Sequence, residues 1–274
     1  MNSSGLNPAL VINKRRIRRA FDRAALTYDD AAVLQREVCT RMLEHLDPVK
    51  MIPKTILDVG AGTGFGVGLL MQRYKKAHIT AVDLAPEMLK LAAKHGSWLR
   101  RPSVLCADAD RLPIADHSVD MIVSSLMLQW SGDLERTFRE FKRVLKPGGV
   151  LMFATFGPDS LMELRNSWAQ VDGDGHVNQF LDMHDVGDAL QRCQFADPVM
   201  DREILTLTYE KVTDLMRDLK AIGANTPSSG RRRGLMTAAT LSAVEQAYEQ
   251  FRQNGVLPAS YEIVYGQAWL AEEK

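Results

Sequence analysis

The strongest constraint in the chain is a run of short apolar segments at near-regular spacing: residues 56–60 (ILDVG), 79–84 (ITAVDL), 103–107 (SVLCA), 119–125 (VDMIVSS) and 150–156 (VLMFATF). Between them, residues 66–73, 86–94 and 133–144 carry helical apolar spacing. Strands alternating with helices require a parallel sheet with right-handed crossovers and helices on both faces, which is a doubly wound α/β fold. Asp58, Asp83 and Asp108 recur every 25 positions, the length of one strand, helix and return. This recurrence is topological and not a sequence repeat. Beyond residue 156 the pattern predicts helices at 160–171, 184–193, 213–222 and 239–254, a strand at 204–209, and a final alternating run at 261–271 that returns to the sheet. The expected architecture is a mostly parallel seven-stranded sheet, with a helical lead-in at 1–50 and a main domain at 51–274. Lid elements at about 157–200 and 210–256 are expected over the carboxyl ends of the strands, where such sheets bind ligands.

Composition narrows the function. The 274 residues hold 34 basic and 34 acidic side chains, so general attraction to nucleic acid or an anionic membrane is not expected, and charge must act through local patches. Residues 14–23 (KRRIRRAFDR) form one such patch, with six basic side chains and one acidic. The helical pattern continues through Ala32, Leu34 and Val38, predicting a charged lead-in helix packed on a core. Cys39, Cys106 and Cys193 are far apart and lack metal-ligand spacing, which predicts a reducing, cytoplasmic setting and no metal. The apolar patch at 9–12 is too short for a signal or a membrane span.

The candidate chemistry lies at three strand ends. Glycines 60, 62 and 64 in LDVGAGTG let the chain turn sharply and leave no Cβ between backbone and ligand. Asp83, ending the second strand, is placed to accept from both ribose hydroxyls, and a helix N-cap explains the same residue structurally. Asp108, after the third strand, is placed to accept from an exocyclic adenine amine, with Ala109 offering a backbone N–H to the ring; a turn aspartate is its structural alternative. A pyrophosphate-binding G-x-G-x-x-G pattern requires glycine at position 65, where this chain has Phe65.

This set resembles the class I S-adenosylmethionine methyltransferases, with a Rossmann-like sheet. RVLKPGGVL (143–151), read as a helix ending in a Pro-Gly-Gly turn before the fifth strand, matches that layout. The resemblance implies S-adenosylmethionine as cofactor, S-adenosylhomocysteine as product, and contacts from Tyr28, Gln35, Asp58, Gly60, Ala61, Gly62, Asp83, Leu84, Met88, Asp108, Ala109 and Ser125.

A narrower resemblance covers about residues 15–270. FDRAALTYDDAAVLQ (21–35), SSLMLQW (124–130), SLMELRNSW (160–168), HVNQF (176–180), LKAIGAN and GRRRGLM are similar to the methyltransferase family of early biotin synthesis. The implied reaction esterifies the free carboxylate of a malonyl group on acyl carrier protein or coenzyme A. A carboxylate is ionised at neutral pH, so in-line attack on the sulfonium methyl needs no general base and no metal. The site must supply a cation for the carboxylate. Arg165, Arg231, Arg232 and Arg233 are the candidates, with Lys220 and Lys146 behind them and solvated surface charge as the alternative for each.

The same resemblance places Tyr28 over the cofactor's methionine moiety. Gln35 and Gln129 are expected to reach that region, with Trp130 or Leu89 beside the adenine. Trp168 and Phe180 are assigned to packing of the lid, and His176 to structure in preference to substrate orientation. Because acyl carrier proteins are acidic, the basic run at 14–23 is either a steering surface or an ordinary solvated face. Two other activities fit the cofactor motif: methylation of a quinone ring carbon, and work as a hydroxylase or respiratory-complex assembly factor.

Overall fold

The structure is a computed structural model that describes residues 12–172, 176–224 and 237–272. Seven strands form one sheet: β1 (Thr55–Val59), β2 (His78–Asp83), β3 (Ser103–Cys106), β4 (Val119–Ser125), β5 (Leu145–Phe156), β6 (Ala196–Tyr209) and β7 (Leu257–Trp269). Their order is β3-β2-β1-β4-β5-β7-β6. The first five strands run parallel, and β7 lies antiparallel between β5 and β6. The chain winds outward from β1 to β3 and then returns to β4, which opens a crevice at the carboxyl ends of β1 and β4.

Helices cover both faces: α1 (Lys14–Ala24), α2 (Tyr28–Ala31), α3 (Val33–Glu44), α4 (Phe65–Arg73), α5 (Pro86–Ala92), α6 (Leu134–Val144), α7 (Met162–Val171), α8 (Met183–Arg192), α9 (Val212–Ala221) and α10 (Ala238–Tyr248). The central strands are apolar on both sides, so alternate residues enter two separate cores. Met121, Val123, Val150 and Met152 pack with Val38 and Met42 of α3 and Val67 and Leu70 of α4. Their neighbours Ile122, Leu151 and Phe153 pack with Phe138 and Phe141 of α6 and Val186 and Leu190 of α8.

Three expectations change in detail. The lead-in is not one helix: it breaks between α1 and α3, where Thr27 Oγ1 donates to the carbonyls of Ala24 and Ala221 and turns the chain toward α9. Pro147-Gly148-Gly149 does not cap α6. Strand β5 begins at Leu145, opposite Val119, and the Pro-Gly-Gly stretch lies where the register shifts before Val150 pairs with Met121. There Gly148 N–H donates to Leu270 O and Leu270 N–H to Gly149 O, so the glycines join the sheet's two chain segments. The strand expected at 204–209 is longer, because β6 pairs antiparallel with β7 from Ala196 to Tyr209 at the sheet edge, although α9 and α10 intervene in the chain.

Gly266 of β7 faces Phe153 of β5 across the ladder, and a Cβ at Gly266 would lie 2.1 Å from Phe153 Cζ. Both residues are locked in the sheet, so the ring has no direction in which to yield. Gly266→Ala is expected to destabilise the protein by about 1–3 kcal/mol, read as a lower denaturant midpoint with an unchanged m-value.

Candidate active site

The site starts with the turn after β1. The N–H groups of Gly60 and Ala61 both donate to Val82 O, at 2.8 and 3.0 Å, folding the turn back onto β2. Gly60 has φ +80°, and a Cβ there would sit 2.4 Å from Met127 Cβ. Gly62 has φ +54° and open space where a side chain would project. A cradle is thus left for a ligand to approach bare backbone.

Asp83 holds this turn in place. Its Oδ2 accepts from Gly62 N–H at 2.9 Å and its Oδ1 from Ala85 N–H at 2.8 Å. The carboxylate therefore braces the turn before α5 and the glycine loop together. Burial raises its pKa, and the backbone N–H groups of Ala85, Gly62 and Leu84 oppose that rise. Asp108 Oδ1 accepts from Asp110 N–H at 3.0 Å and from Lys14 Nζ at 2.6 Å, and Lys14 also pairs with Asp110. Thr137 in turn donates to Asp110.

One cavity joins these strand ends. Tyr28, Gln35, Gly60, Gly62, Asp83, Leu84, Met88, Asp108, Ala109 and Ser125 all line it, as do Gln129 and Trp130. Ala61 and Asp58 do not line it. Ala61 faces the core, and Asp58 lies behind the cavity floor beside Gly66 and Cys39. Leu89 is also buried in the core, and Met88 takes the cavity-facing position on α5. Burial, then the charge of Asp83, pushes the Asp58 carboxyl up to about 7. Burial, then Asp83 and Asp29, raises the Tyr28 hydroxyl, which is a neutral donor at physiological pH.

A second cavity of about 490 Å³ adjoins the first. The two share Gln35, Gln129, Trp130, Phe156, Ile222 and Ala224. Its outer wall comes from α7 (Leu164, Trp168), α9 (Met216, Lys220) and Phe180. Glu163 pins the start of α7 to β7 by accepting from Ser260 N–H and Oγ, and Glu262 accepts from Asp159 N–H at 2.9 Å. Trp168 stacks on His176 at 3.6 Å, and His176 Nε2 meets Asp172 Oδ1 at 2.7 Å. Phe180 packs on Phe156 at 5.3 Å.

The proposed cations fall in different places. Arg165 lines neither cavity; its Nη2 donates to the carbonyls of Pro158 and Ser160 at 2.8 and 2.7 Å. Lys146 pairs with Asp120 at 2.7 Å, at the amino-terminal end of β4 and away from the cavities. Arg231, Arg232 and Arg233 lie outside the described residues. Lys220 and Arg217, on α9, line the second cavity, and Arg217 pairs with Asp214.

The comparisons with known proteins agree with this geometry. Residues 57–153 match the methyltransferase domain family. The chain is 52% identical over 272 residues to the malonyl-[acyl-carrier protein] O-methyltransferase of Laribacter hongkongensis, covering 96% of this chain and 92% of the relative. The chain belongs to the malonyl-[acyl-carrier protein] O-methyltransferase family. Its fold is shared with the YcgJ protein of Bacillus subtilis (TM-score 0.60, 18% identity, 86% of this chain and 99% of that one). It is also shared with phosphoethanolamine N-methyltransferase 2 of Haemonchus contortus, solved with S-adenosyl-L-methionine (TM-score 0.55, 17% identity, 92% of this chain and 57% of that one). The protein is an S-adenosylmethionine-dependent methyltransferase.

Lys14, Ile17 and Phe21 of α1 also line the first cavity, and Phe21 meets Trp130 edge-on at 5.5 Å. They escaped the sequence reading because the helix's charge obscured its inner stripe, although the spacing i, i+3, i+7 carries the signal.

Two outcomes follow. Asp58 has a folded pKa above its unfolded value, so the folded protein holds the extra proton between roughly pH 4 and 7, and stability falls as pH rises through that window. A bound cation favours the ionised form. S-adenosylmethionine affinity is therefore expected to rise by up to about tenfold per pH unit toward 7. Asp58→Asn should remove that dependence in calorimetric titrations, leaving only the ligand's own amine. Separately, Lys14→Met unties α1 from Asp108, and stopped-flow should show cofactor dissociation faster by about fivefold.

Proposed function

We propose that the protein transfers the methyl group of S-adenosylmethionine to the free carboxylate of a malonyl thioester, carried on acyl carrier protein or coenzyme A, in early biotin synthesis. One observation carries this reading beside the family membership: two cavities meet at a shared wall, so that a cofactor in the first and an acyl group in the second face each other there.

The cofactor supplies an electrophilic methyl carbon on a positively charged sulfur. The protein's part is placement and exclusion of water. In the first cavity Asp83 takes the ribose hydroxyls, Asp108 the adenine amine, and Gly60 and Gly62 the close backbone approach. Tyr28 covers the methionine portion as a neutral donor, with Gln35 and Ser125 beside it and Asp58 acting through its field from behind the floor. At the shared wall Gln129 is fixed by donating to Leu126 O at 2.5 Å, and Trp130, Phe156 and Ile222 keep the junction apolar. Desolvation there strengthens the attraction between carboxylate and sulfonium. No base is required, because the nucleophile is ionised already.

The second cavity holds the malonyl arm. Lys220 is the carboxylate's cation among the described residues lining it, with Arg231 and Arg232, which follow α9 in the sequence and lie outside the described residues, assigned the same role. Arg165 supports the cavity from outside by fixing the carbonyls of Pro158 and Ser160. The lid consists of α7, α9 and α10, whereas α8 packs on α6 and β6 and belongs to the cover of the sheet. A cytoplasmic setting is supported by the three free cysteines.

The test uses cofactor labelled in its methyl group. Malonyl-acyl carrier protein or malonyl-coenzyme A should acquire an alkali-labile methyl ester, and the acetyl thioesters, which lack the free carboxylate, should acquire none. Protein that binds the cofactor yet esterifies neither malonyl thioester sinks the substrate assignment.

A further inference from the structure

Helix α1 has two faces with different employment. Its inner residues Lys14, Ile17 and Phe21 line the cofactor cavity, and Ile17, Ala20 and Ala24 are buried. Its outer residues Arg15, Arg16, Arg19 and Arg23, with Asn13, line a groove on the surface. Among the described residues none of these four arginines pairs with a carboxylate, whereas Arg18 is turned toward Asp22 at 3.7 Å. The helix carries six of the chain's 34 basic side chains and only one of its 34 acidic ones. The remainder of a chain that is neutral overall is therefore net acidic, with 28 basic side chains against 33 acidic ones.

The position of this face gives it a use. Just past α1, Leu26 is 89% exposed. The next residue, Thr27, donates to Ala221 O at 3.1 Å, which joins the end of α1 to the end of α9. Helix α9 contributes Met216, Arg217 and Lys220 to the second cavity. The basic face therefore runs from the cover of the cofactor cavity to the rim of the cavity that takes the acyl arm.

We propose that the outer face of α1, with Leu26 at its end, is the docking surface for the acidic carrier protein that delivers the malonyl arm; this rests on the malonyl-thioester reading above. A carrier seated there would place its acidic surface over unpaired guanidinium groups, and its tethered thioester at the rim formed by α9. Guanidinium groups suit carboxylates because they pair in a planar, two-pronged geometry. An exposed basic helix can also bind an anionic bilayer, but that requires an apolar face free to insert. In α1 the apolar face is already packed inward, leaving the single side chain of Leu26.

The experiment compares wild type with the double variant Arg16→Glu/Arg19→Glu, both exposed positions that touch neither cavity. Three quantities are measured: direct binding of malonyl-acyl carrier protein, KM and kcat with that substrate, and turnover of malonyl-pantetheine, which carries neither protein nor phosphate. Wild-type binding should weaken with added salt, and the variant should bind the carrier about tenfold or more weakly at low salt. KM should rise in proportion, with kcat within about twofold and malonyl-pantetheine turnover and cofactor affinity unchanged. Equal carrier binding by the two proteins overturns the proposal. So does a parallel loss on malonyl-pantetheine, or wild-type binding to phosphatidylglycerol vesicles with none to the carrier. Failure of wild type to esterify any of malonyl-acyl carrier protein, malonyl-coenzyme A and malonyl-pantetheine would instead remove the substrate reading, while the binding comparison still judges the docking surface.

Discussion

Much of the site depends on the buried carboxylate of Asp83. One oxygen holds Gly62 N–H, the other holds Ala85 N–H, and so a single side chain sets the glycine loop after β1 against the turn that starts α5. Without a partner of that kind the loop's N–H groups would be directed at nothing, and unpaired buried donors are costly. The arrangement also has an electrostatic cost. Asp58 lies near enough for the charge of Asp83 to raise its pKa further, after burial has already raised it. Two acids close together, with no ion pair to either among the described residues, favour a cation beside them. The sulfonium of S-adenosylmethionine carries charge of that sign.

The sheet order turns this local chemistry into a reaction geometry. Because β1 and β4 are neighbours across the reversal of winding, their carboxyl ends bring Gly60 and Ser125 to one cavity while β2 and the turn after β3 add Asp83 and Asp108. The second cavity lies beside it, over the ends of β5 and β7, where Phe156 and Tyr261 form its floor. The two cavities are then walled by different parts of the chain: the first mostly by the ends of the regular α/β elements, the second mostly by the helices of the less regular half. Among the described residues Gln35, Gln129, Trp130, Phe156, Ile222 and Ala224 line both.

The legible parts of the sequence are those in which a single local rule determines the outcome. Central strands buried on both faces show as short apolar runs, and glycines and aspartates at their ends mark a ligand edge, so β1 to β5 and ten of the twelve expected cofactor contacts converge on one cavity. The remainder depended on partners that no local pattern names. Arg165 reads as a free cation in sequence, but its guanidinium is held by the carbonyls of Pro158 and Ser160, only five to seven residues away. Pro147-Gly148-Gly149 reads as a helix stop, yet the approach of Leu270 from the far end of the chain draws it into the sheet. Ala61 and Asp58 sit in the right motif but do not line the cavity: Asp58 leaves β1 on the α3–α4 side, opposite Val59, beside Gly66 and Cys39, and Ala61 packs into the core on that side.

Helix α1 shows most clearly why composition alone misleads. Counted over the whole chain, charge cancels, and nothing about a partner follows. Resolved by position, the helix separates its basic residues by direction. Lys14 turns inward and is neutralised by Asp108 and Asp110, holding the helix over the first cavity. The arginines at 15, 16, 19 and 23 turn outward. A helical period of 3.6 residues makes this division unavoidable once Ile17, Ala20 and Ala24 are committed to packing. The outer charges then contribute nothing to closing the cavity, and exposed arginines in a row repel one another, so they weaken the isolated fold slightly. The outward charges are therefore available to a partner, whereas the inward Lys14 is already committed to the fold.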